Sequence, residues 1–391
     1  MNDKAKAIKF IVILGIVSLF ADIVYEGGRS IGGPFLLYLG AGAGIVGVVA
    51  GLGEFIGYGL RLFSGYLSDR FKSYWALTIG GYALSVFAVP LLALSGNWQI
   101  ASLLFVLERL GKAIRTPARD VLLSAVTEKV GRGKGFGIHE ALDQIGAIGG
   151  PLLISLFLYL NRGYRSSLAV LFVPAILTLM VIFFAKWRYP VQAALLSGHD
   201  MSKKTPKGKL PAVFWLYTLF IVFSLGGYAS FQIISYHLKN QAIVSDAQIP
   251  LLFAFAMGID GIVALIVGRA YDRVGLTSLF GIPIIGIFIP FFAFSSNYGF
   301  IWIAVALWGA VMGMQETIMR AAIADMVSIE TRGMAYGIFN TAYGLSWFVG
   351  SSIMGFIYNV SIQYLISFCV IIEIISLPVF WLIWKRRFEK I

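Results

Sequence analysis

Apolar runs about as long as a bilayer is thick recur twelve times along this 391-residue chain, and no other feature restricts its fold as much. A hydrocarbon core about 30 Å thick takes about 20 mostly apolar residues per helix. The runs fall at 9–38, 43–66, 75–95, 98–116, 135–160, 166–187, 212–238, 249–269, 278–296, 299–325, 333–359 and 363–385. A segment crossing lipid must satisfy its own backbone polar groups, which predicts helices throughout. Hydrophobic residues make up 59% of the chain and charged ones 13%, against about a quarter charged in soluble domains, so a soluble globule is not expected.

The net charge of +12 sits between the apolar runs. Lys and Arg gather at Lys4, Lys6 and Lys9, at Arg70 and Lys72, at Lys129, Arg132 and Lys134, from Lys186 to Lys209, and at Lys385, Arg386 and Arg387. The alternate connections hold only Arg162, Arg165 and Lys239. By the positive-inside rule the basic connections and both termini are expected to be cytoplasmic in an inner (plasma) membrane. The charge then orients helices, and no nucleic-acid partner is expected. The first run is followed by Asp22, Tyr25, Glu26 and Arg29 instead of a small-residue cleavage site, so it is read as a retained helix. Cys369, the single cysteine, lies in an apolar run and rules out a disulfide framework.

An offset of about 200 residues brings matching features into register. Gly65-Tyr-Leu-Ser-Asp69-Arg70 lines up with Gly268-Arg-Ala-Tyr-Asp272-Arg273, and Arg119 with Arg320. Arg132, Gly137 and Gly150 match Arg332, Gly337 and Gly350, and Phe20 and Tyr25 match Phe223 and Tyr228. The expected organisation is therefore a six-helix bundle over 1–187, a polar linker over 188–211 and a second six-helix bundle over 212–391. Parallel repeats of this kind place a substrate site at the midplane between halves that rock.

The segment from Gly65 to Lys72 resembles the loop motif between helices two and three of the major facilitator superfamily, with a weaker copy at Gly268 to Arg273. That resemblance implies an all-α membrane protein of twelve transmembrane helices in two pseudo-symmetric bundles, working by alternating access, with a monomer as the default. It implies that the loop Asp, here Asp69 and Asp272, latches onto a helix N-terminus, here the eleventh near Gly333, and Arg70, Arg119, Arg273 and Arg320 are expected with them in a conformational gate. Gly146-Ala-Ile-Gly-Gly150-Pro151 resembles the antiporter motif of that family, which implies export, although Leu152, Leu153 and Ile154 replace the usual following Gly pair. Plain helix packing is the other reading of those glycines. Glu108-Arg109-Leu-Gly111-Lys112 resembles the fourth-helix motif loosely, lacking the polar residue between Arg and Gly.

A charge at mid-bilayer costs at least about 2.5 kcal/mol, so each demands a partner, a water cavity or a function. Asp22, Glu26 and Arg29 share one helix face with Tyr25, which either lines a cavity or neutralises itself through a Glu26–Arg29 pair. Glu54 and Asp143 are further acids at depth, and Glu108, Arg109, Lys112 and Arg115 form a cationic stretch that pairs with the acids or binds an anion. His139 and Asp143, four residues apart beside Glu140, suit a gate network, a proton relay or two ligands of a metal. Glu373, in the twelfth run, is read as structural or lipid-shielded.

These residues lead to one expected function: secondary active, proton-coupled antiport that exports a small organic or cationic solute. Proton coupling is assigned to Asp22, Glu26, Glu54 and Asp143, and substrate contact to Tyr25, Arg29, Arg109, Tyr228, Gln232, Gln315 and Glu316. Divalent-metal export, or uniport or symport of a small metabolite, is the alternative. The expected partners are the solute, the proton and membrane lipid. No segment combines a nucleophile with a base and an orienting acid, so no enzyme, cofactor or resident metal is expected.

Overall fold

The computed structural model describes residues 3–127, 130–189, 209–328 and 331–388. Most of the linker expected over 188–211 therefore lies outside the described residues. The helices are α1 (Asp3–Ser30), α2 (Gly32–Tyr38), α3 (Ala43–Gly59), α4 (Arg61–Phe71), α5 (Tyr74–Leu91), α6 (Trp98–Thr127), α7 (Arg132–Tyr159), α8 (Gly163–Ala169) and α9 (Phe172–Arg188). After the linker come α10 (Ala212–Gly227), α11 (Phe231–Asn240), α12 (Gln248–Val274), α13 (Gly281–Ala293), α14 (Tyr298–Met326), α15 (Arg332–Tyr358) and α16 (Ile362–Phe388).

Each of the twelve expected crossings is helical, some as two helices in series. Nine helical stretches among the described residues are long and apolar enough to cross a membrane by length and composition, and one of them, Gln248–Ala293, holds two crossings. Outside that set are α6, which carries Glu108, Arg109, Lys112, Arg115, Arg119 and Asp120, and α15, diluted by Asn340, Ser346, Ser351 and Ser352. Exposed side chains such as Leu103, Phe183, Leu265 and Val360 are apolar, as lipid contact requires.

The serial crossings break where the sequence withdraws backbone support. Between α1 and α2, Pro34 has no N–H to give the carbonyl of Ser30, the Ile31 N–H turns to the Gly28 carbonyl at 3.3 Å, and the Ser30 hydroxyl donates to the Gly27 carbonyl at 2.7 Å. Between α10 and α11, Tyr228 has an extended ψ of 111° after the Gly226–Gly227 pair. The Tyr228 hydroxyl then donates to the Trp308 carbonyl at 2.7 Å, and the Trp308 indole donates to the Ala229 carbonyl at 3.0 Å. The break is thus hydrogen-bonded into a packed aromatic cluster.

The fourth crossing is longer than expected, because α6 continues through Pro117 to Thr127. A proline inside a helix deprives the carbonyl four residues earlier, here Ala113, of its donor. The Ser64 hydroxyl of α4 donates to that carbonyl at 2.6 Å. Ser64→Ala is therefore expected to cost about 1–3 kcal/mol by orphaning a buried acceptor. In a Pro117→Ala background, where residue 117 regains its N–H, the loss should shrink. Melting of the purified single and double mutants checks this, and equal losses in both backgrounds would refute it.

The chain forms two compact units, one comprising Met1–Ile31 with Leu60–Lys203 and the other Gly32–Gly59 with Lys204–Ile391. In the first, α1 packs on α7 and α9, and α5 on α6. In the second, α3 packs on α15, α12 on α14, α10 on α16, and the short α2 on α11. Glycines set the closest approaches there: a Cβ on Gly51 would stand 2.6 Å from the Phe348 Cα, and one on Gly344 2.9 Å from the Phe55 Cα.

Candidate functional site

In the first unit a charged cluster is enclosed by α1, α5, α6 and α7. One face of α1 presents Ser18, Asp22, Glu26 and Arg29, spaced by three or four residues, with Tyr25 beside them, and all five are buried. Glu26 pairs with Arg29 at 3.5 Å, while its second carboxylate oxygen has no hydrogen-bond partner among the described residues. Asp22 has Asp143 of α7 and Arg115 and Lys112 of α6 as its charged neighbours, with Glu26 one turn away. The site thus holds carboxylates and cations in mutual reach, which the Glu26–Arg29 pair alone does not neutralise.

The cations of α6 are held by aromatic rings as well as by acids. Lys112 Nζ stands 4.1 Å from the centre of the Tyr25 ring, and the Arg115 guanidinium 4.1 Å from the Tyr82 ring of α5. Arg115 is 1% exposed, with Nε and Nη1 lacking hydrogen-bond partners among the described residues, so ring faces carry much of its stabilisation, about 2 kcal/mol each when desolvated. Arg109 pairs with Glu108 at 3.2 Å.

Towards one end of the cluster His139 faces Asp143 at 3.5 Å through Nδ1, and its Nε2 is 3.2 Å from the Ser18 hydroxyl. Ser18 also meets the Tyr82 hydroxyl at 3.1 Å and accepts from Arg119 at 3.4 Å. These contacts join four helices into one polar chain running from Arg119 to Asp143.

Small residues bring the helices close enough for this. Gly146 abuts the Leu19 carbonyl and lies where a Cβ would be 2.8 Å from the Asp22 Cβ; Gly150 abuts the Ile23 carbonyl and the Gly27 nitrogen. The Gly146–Pro151 segment thus sets α7 directly on the acidic face of α1. Gly81 of α5 and Gly111 of α6 do the same on the other side, where a Cβ on Gly81 would fall 2.7 Å from the Arg115 Cβ.

In the second unit Tyr58 and Tyr343 pack at 4.6 Å, and Tyr343 has Glu54 and Glu316 as acidic neighbours. Glu54 is buried and Glu316 exposed. Gln315 is buried, with neither amide atom hydrogen-bonded among the described residues. Tyr228 serves the helix break, and Gln232 is half-buried where its carbonyl meets Gly33 of α2.

The expected gate residues are scattered. Arg119 binds Asp120 through two hydrogen bonds, of 3.1 and 2.8 Å, as well as Ser18. Arg70 is exposed, 3.4 Å from the Tyr66 hydroxyl, and Asp272 and Arg273 are exposed at the end of α12, where Tyr271 donates to Asp325 at 2.8 Å. The side chains of Asp69 and Arg320 lie outside the described ones. Among the described residues no three His, Cys, Asp or Glu side chains converge as a metal site.

The sequence reading passed over Ser18, Tyr82 and Asp120. Ser18 lies one turn before Asp22 on the same α1 face, which is a usable signal. Tyr82 carries none, since only the meeting of α5 with α6 brings its ring under Arg115.

Comparison with known proteins adds a family and a fold. The Major Facilitator Superfamily model matches residues 13–241 and 216–390. An uncharacterised protein of Mycobacterium tuberculosis is 39% identical over 375 residues, 94% of this chain and 91% of that protein. The multidrug resistance protein MdtH of Photorhabdus laumondii is 32% identical over 143 residues, 37% of this chain and 33% of that protein. The crystal structure of the nucleoside transporter NupG superposes with a TM-score of 0.72 at 14% identity, covering 98% of this chain and 99% of that one, a likeness of fold alone.

Proposed function

Since this chain belongs to the Major Facilitator Superfamily and is a transporter of that type, we propose that it is a proton-coupled antiporter that exports a small organic or cationic solute by alternating access. The observation that carries the reading is the enclosed cluster of the first unit, in which Asp22, Glu26 and Asp143 share one polar network with Lys112 and Arg115. A carboxylate neutralised by a proton loses its attraction for a cation, so proton and cationic solute occupy such a group in turn, and each expels the other. Asp22, Glu26 and Asp143 exchange the proton in this scheme, with Glu54 as the acid of the second unit. The residues assigned to solute contact are Tyr25, Arg29 and Arg109 in the first unit and Tyr228, Gln232, Gln315 and Glu316 in the second, each unit being taken by itself.

Two observations favour export. The antiporter-like glycines Gly146 and Gly150 seat α7 on the acidic face of α1, and MdtH, similar over part of the chain, is named a multidrug resistance protein. The two six-helix bundles are taken as 1–187 and 212–391, which counts α2 and α3 with the first bundle by sequence although their contacts group them with the second unit, in a monomer spanning the inner membrane with both termini in the cytoplasm. Arg70, Arg119, Asp272 and Arg273, with Asp69 and Arg320, are assigned to the conformational gate.

The test uses the protein reconstituted in liposomes with a pH-sensitive dye inside. Adding a lipophilic organic cation against a standing proton gradient is expected to elicit proton movement opposite to the solute. Solute movement with no proton flux would sink antiport and favour a uniporter, and co-directional flux would indicate symport.

A further inference from the structure

We propose that Glu373 of α16 is a separate proton-binding site in the second unit, outside the charged cluster and independent of the coupling assigned there. Its side chain is completely buried, and neither carboxyl oxygen has a hydrogen-bond or ion-pair partner among the described residues. It is enclosed by protein, between α10 and α13, not by lipid.

The enclosure is shaped around the carboxyl. A Cβ on Gly286 of α13 would stand 2.6 Å from Glu373 Oε1, and one on Gly227 of α10 would stand 3.1 Å from its Cγ. Any larger residue at either position would occupy the acid's place. The Ser224 hydroxyl of α10 is its polar neighbour, near enough to act on the carboxyl as a donor although no hydrogen bond of ordinary geometry joins the two.

The surroundings suit a carboxylic acid better than a carboxylate. A buried, unpaired charge costs several kcal/mol, whereas a protonated carboxyl needs only an acceptor for its O–H. Pro290, four residues after Gly286, has no N–H, so the Gly286 carbonyl lacks its usual helical donor beside the carboxyl. No compensating charge is supplied by the packed helices: α10 and α13 contain no charged residue, and the one charged residue of α15, Arg332, is engaged with the Ala324 carbonyl. On α16 itself the titratable neighbour is the buried thiol of Cys369, one turn away. A metal cation would ask for several oxygens, and here one hydroxyl joins the carboxyl.

The release path is equally local. Gly227 ends α10 at the helix break, so a shift of α10 away from α16 admits water to the carboxyl and lets the proton leave.

Infrared difference spectroscopy of the full-length protein in lipid, wild type minus Glu373→Gln, tests this without a transport assay. The expected result is a carboxylic C=O band at neutral pH that shifts in D2O, gives way to carboxylate bands as pH rises, and is the same in sodium and potassium salts. Carboxylate bands already present at neutral pH would overturn the proposal, as would a carboxylic band that neither exchanges nor titrates while the protein stays folded, or a sodium-dependent shift. Should Glu373→Gln fail to fold, Gly286→Ala serves instead: its added methyl crowds Oε1 and is expected to move the same band, and its difference spectrum lacking any carboxylic feature would be equally decisive.

Discussion

Replacing Asp22 with Asn is expected to uncouple solute binding from pH. Linkage requires that if a bound proton weakens solute binding by some factor, bound solute weakens proton binding by the same factor, and couplings of this kind amount to about 5- to 150-fold. Among the acids of the first unit, Glu26 has Arg29 at 3.5 Å and Asp143 has His139 at 3.5 Å, while Asp22 stands among Asp143, Arg115, Lys112 and Glu26. Its charge therefore acts on two acids and two cations of the cluster at once. Solute affinity measured at an acidic and an alkaline pH should differ markedly for the wild type and by a factor of about one for Asp22→Asn, with Asp22→Glu retaining the difference. Uphill transport in proteoliposomes should fall to the level of protein-free vesicles, while exchange of solute for solute persists. A pH dependence in Asp22→Asn equal to that of the wild type would remove Asp22 from the coupling role.

Gly150→Leu is expected to give the largest loss of stability. A Cβ at Gly150 would collide with the Ile23 carbonyl and stand 2.9 Å from the Gly27 nitrogen, and both are helix backbone, which cannot rotate aside as a side chain can. Helices α1 and α7 would have to separate, at a cost of about 3 kcal/mol or more given that ordinary overpacking costs about 1–3 kcal/mol. Gly149 supplies the control one residue away: its nearest neighbour would be an Ile23 side-chain carbon at 3.7 Å, an ordinary contact, so Gly149→Ala should melt close to the wild type. Thermal unfolding in detergent reads both. If Gly150→Leu melts like Gly149→Ala, the α1–α7 contact does not carry the fold.

These two positions were not equally open to inspection from sequence. Asp22 announces itself, because an acid in an apolar run is expensive wherever the helix packs, and its spacing from Glu26 and Arg29 already places the three on one face. Gly150 is legible only as a small residue in a motif, and its collision partners on α1 lie more than a hundred residues earlier in the chain. The Ser64–Ala113 bond was hidden for a related reason. Pro117 reads as a helix stop, and only a hydroxyl arriving from α4 makes the continuous α6 satisfactory.

Glu373 marks the boundary most clearly. In sequence it is an acid in a late crossing, structural or lipid-shielded, whereas in the structure glycines of α10 and α13 stand against it and no ion pair to it is found among the described residues. The Tyr228 hydroxyl donates to the Trp308 carbonyl at a helix break, a partner eighty residues away that spacing along the chain does not reveal.

The sequence by itself determined the twelve crossings, the duplication and the expensive charges, because run length, hydropathy and residue spacing along a helix are local quantities set by the bilayer and the helical repeat. Which acid meets which base, which proline is rescued, and which glycine is a contact were decided only by tertiary structure. Each depends on how closely two helices distant in sequence approach, a distance set by side-chain volumes on both partners at once.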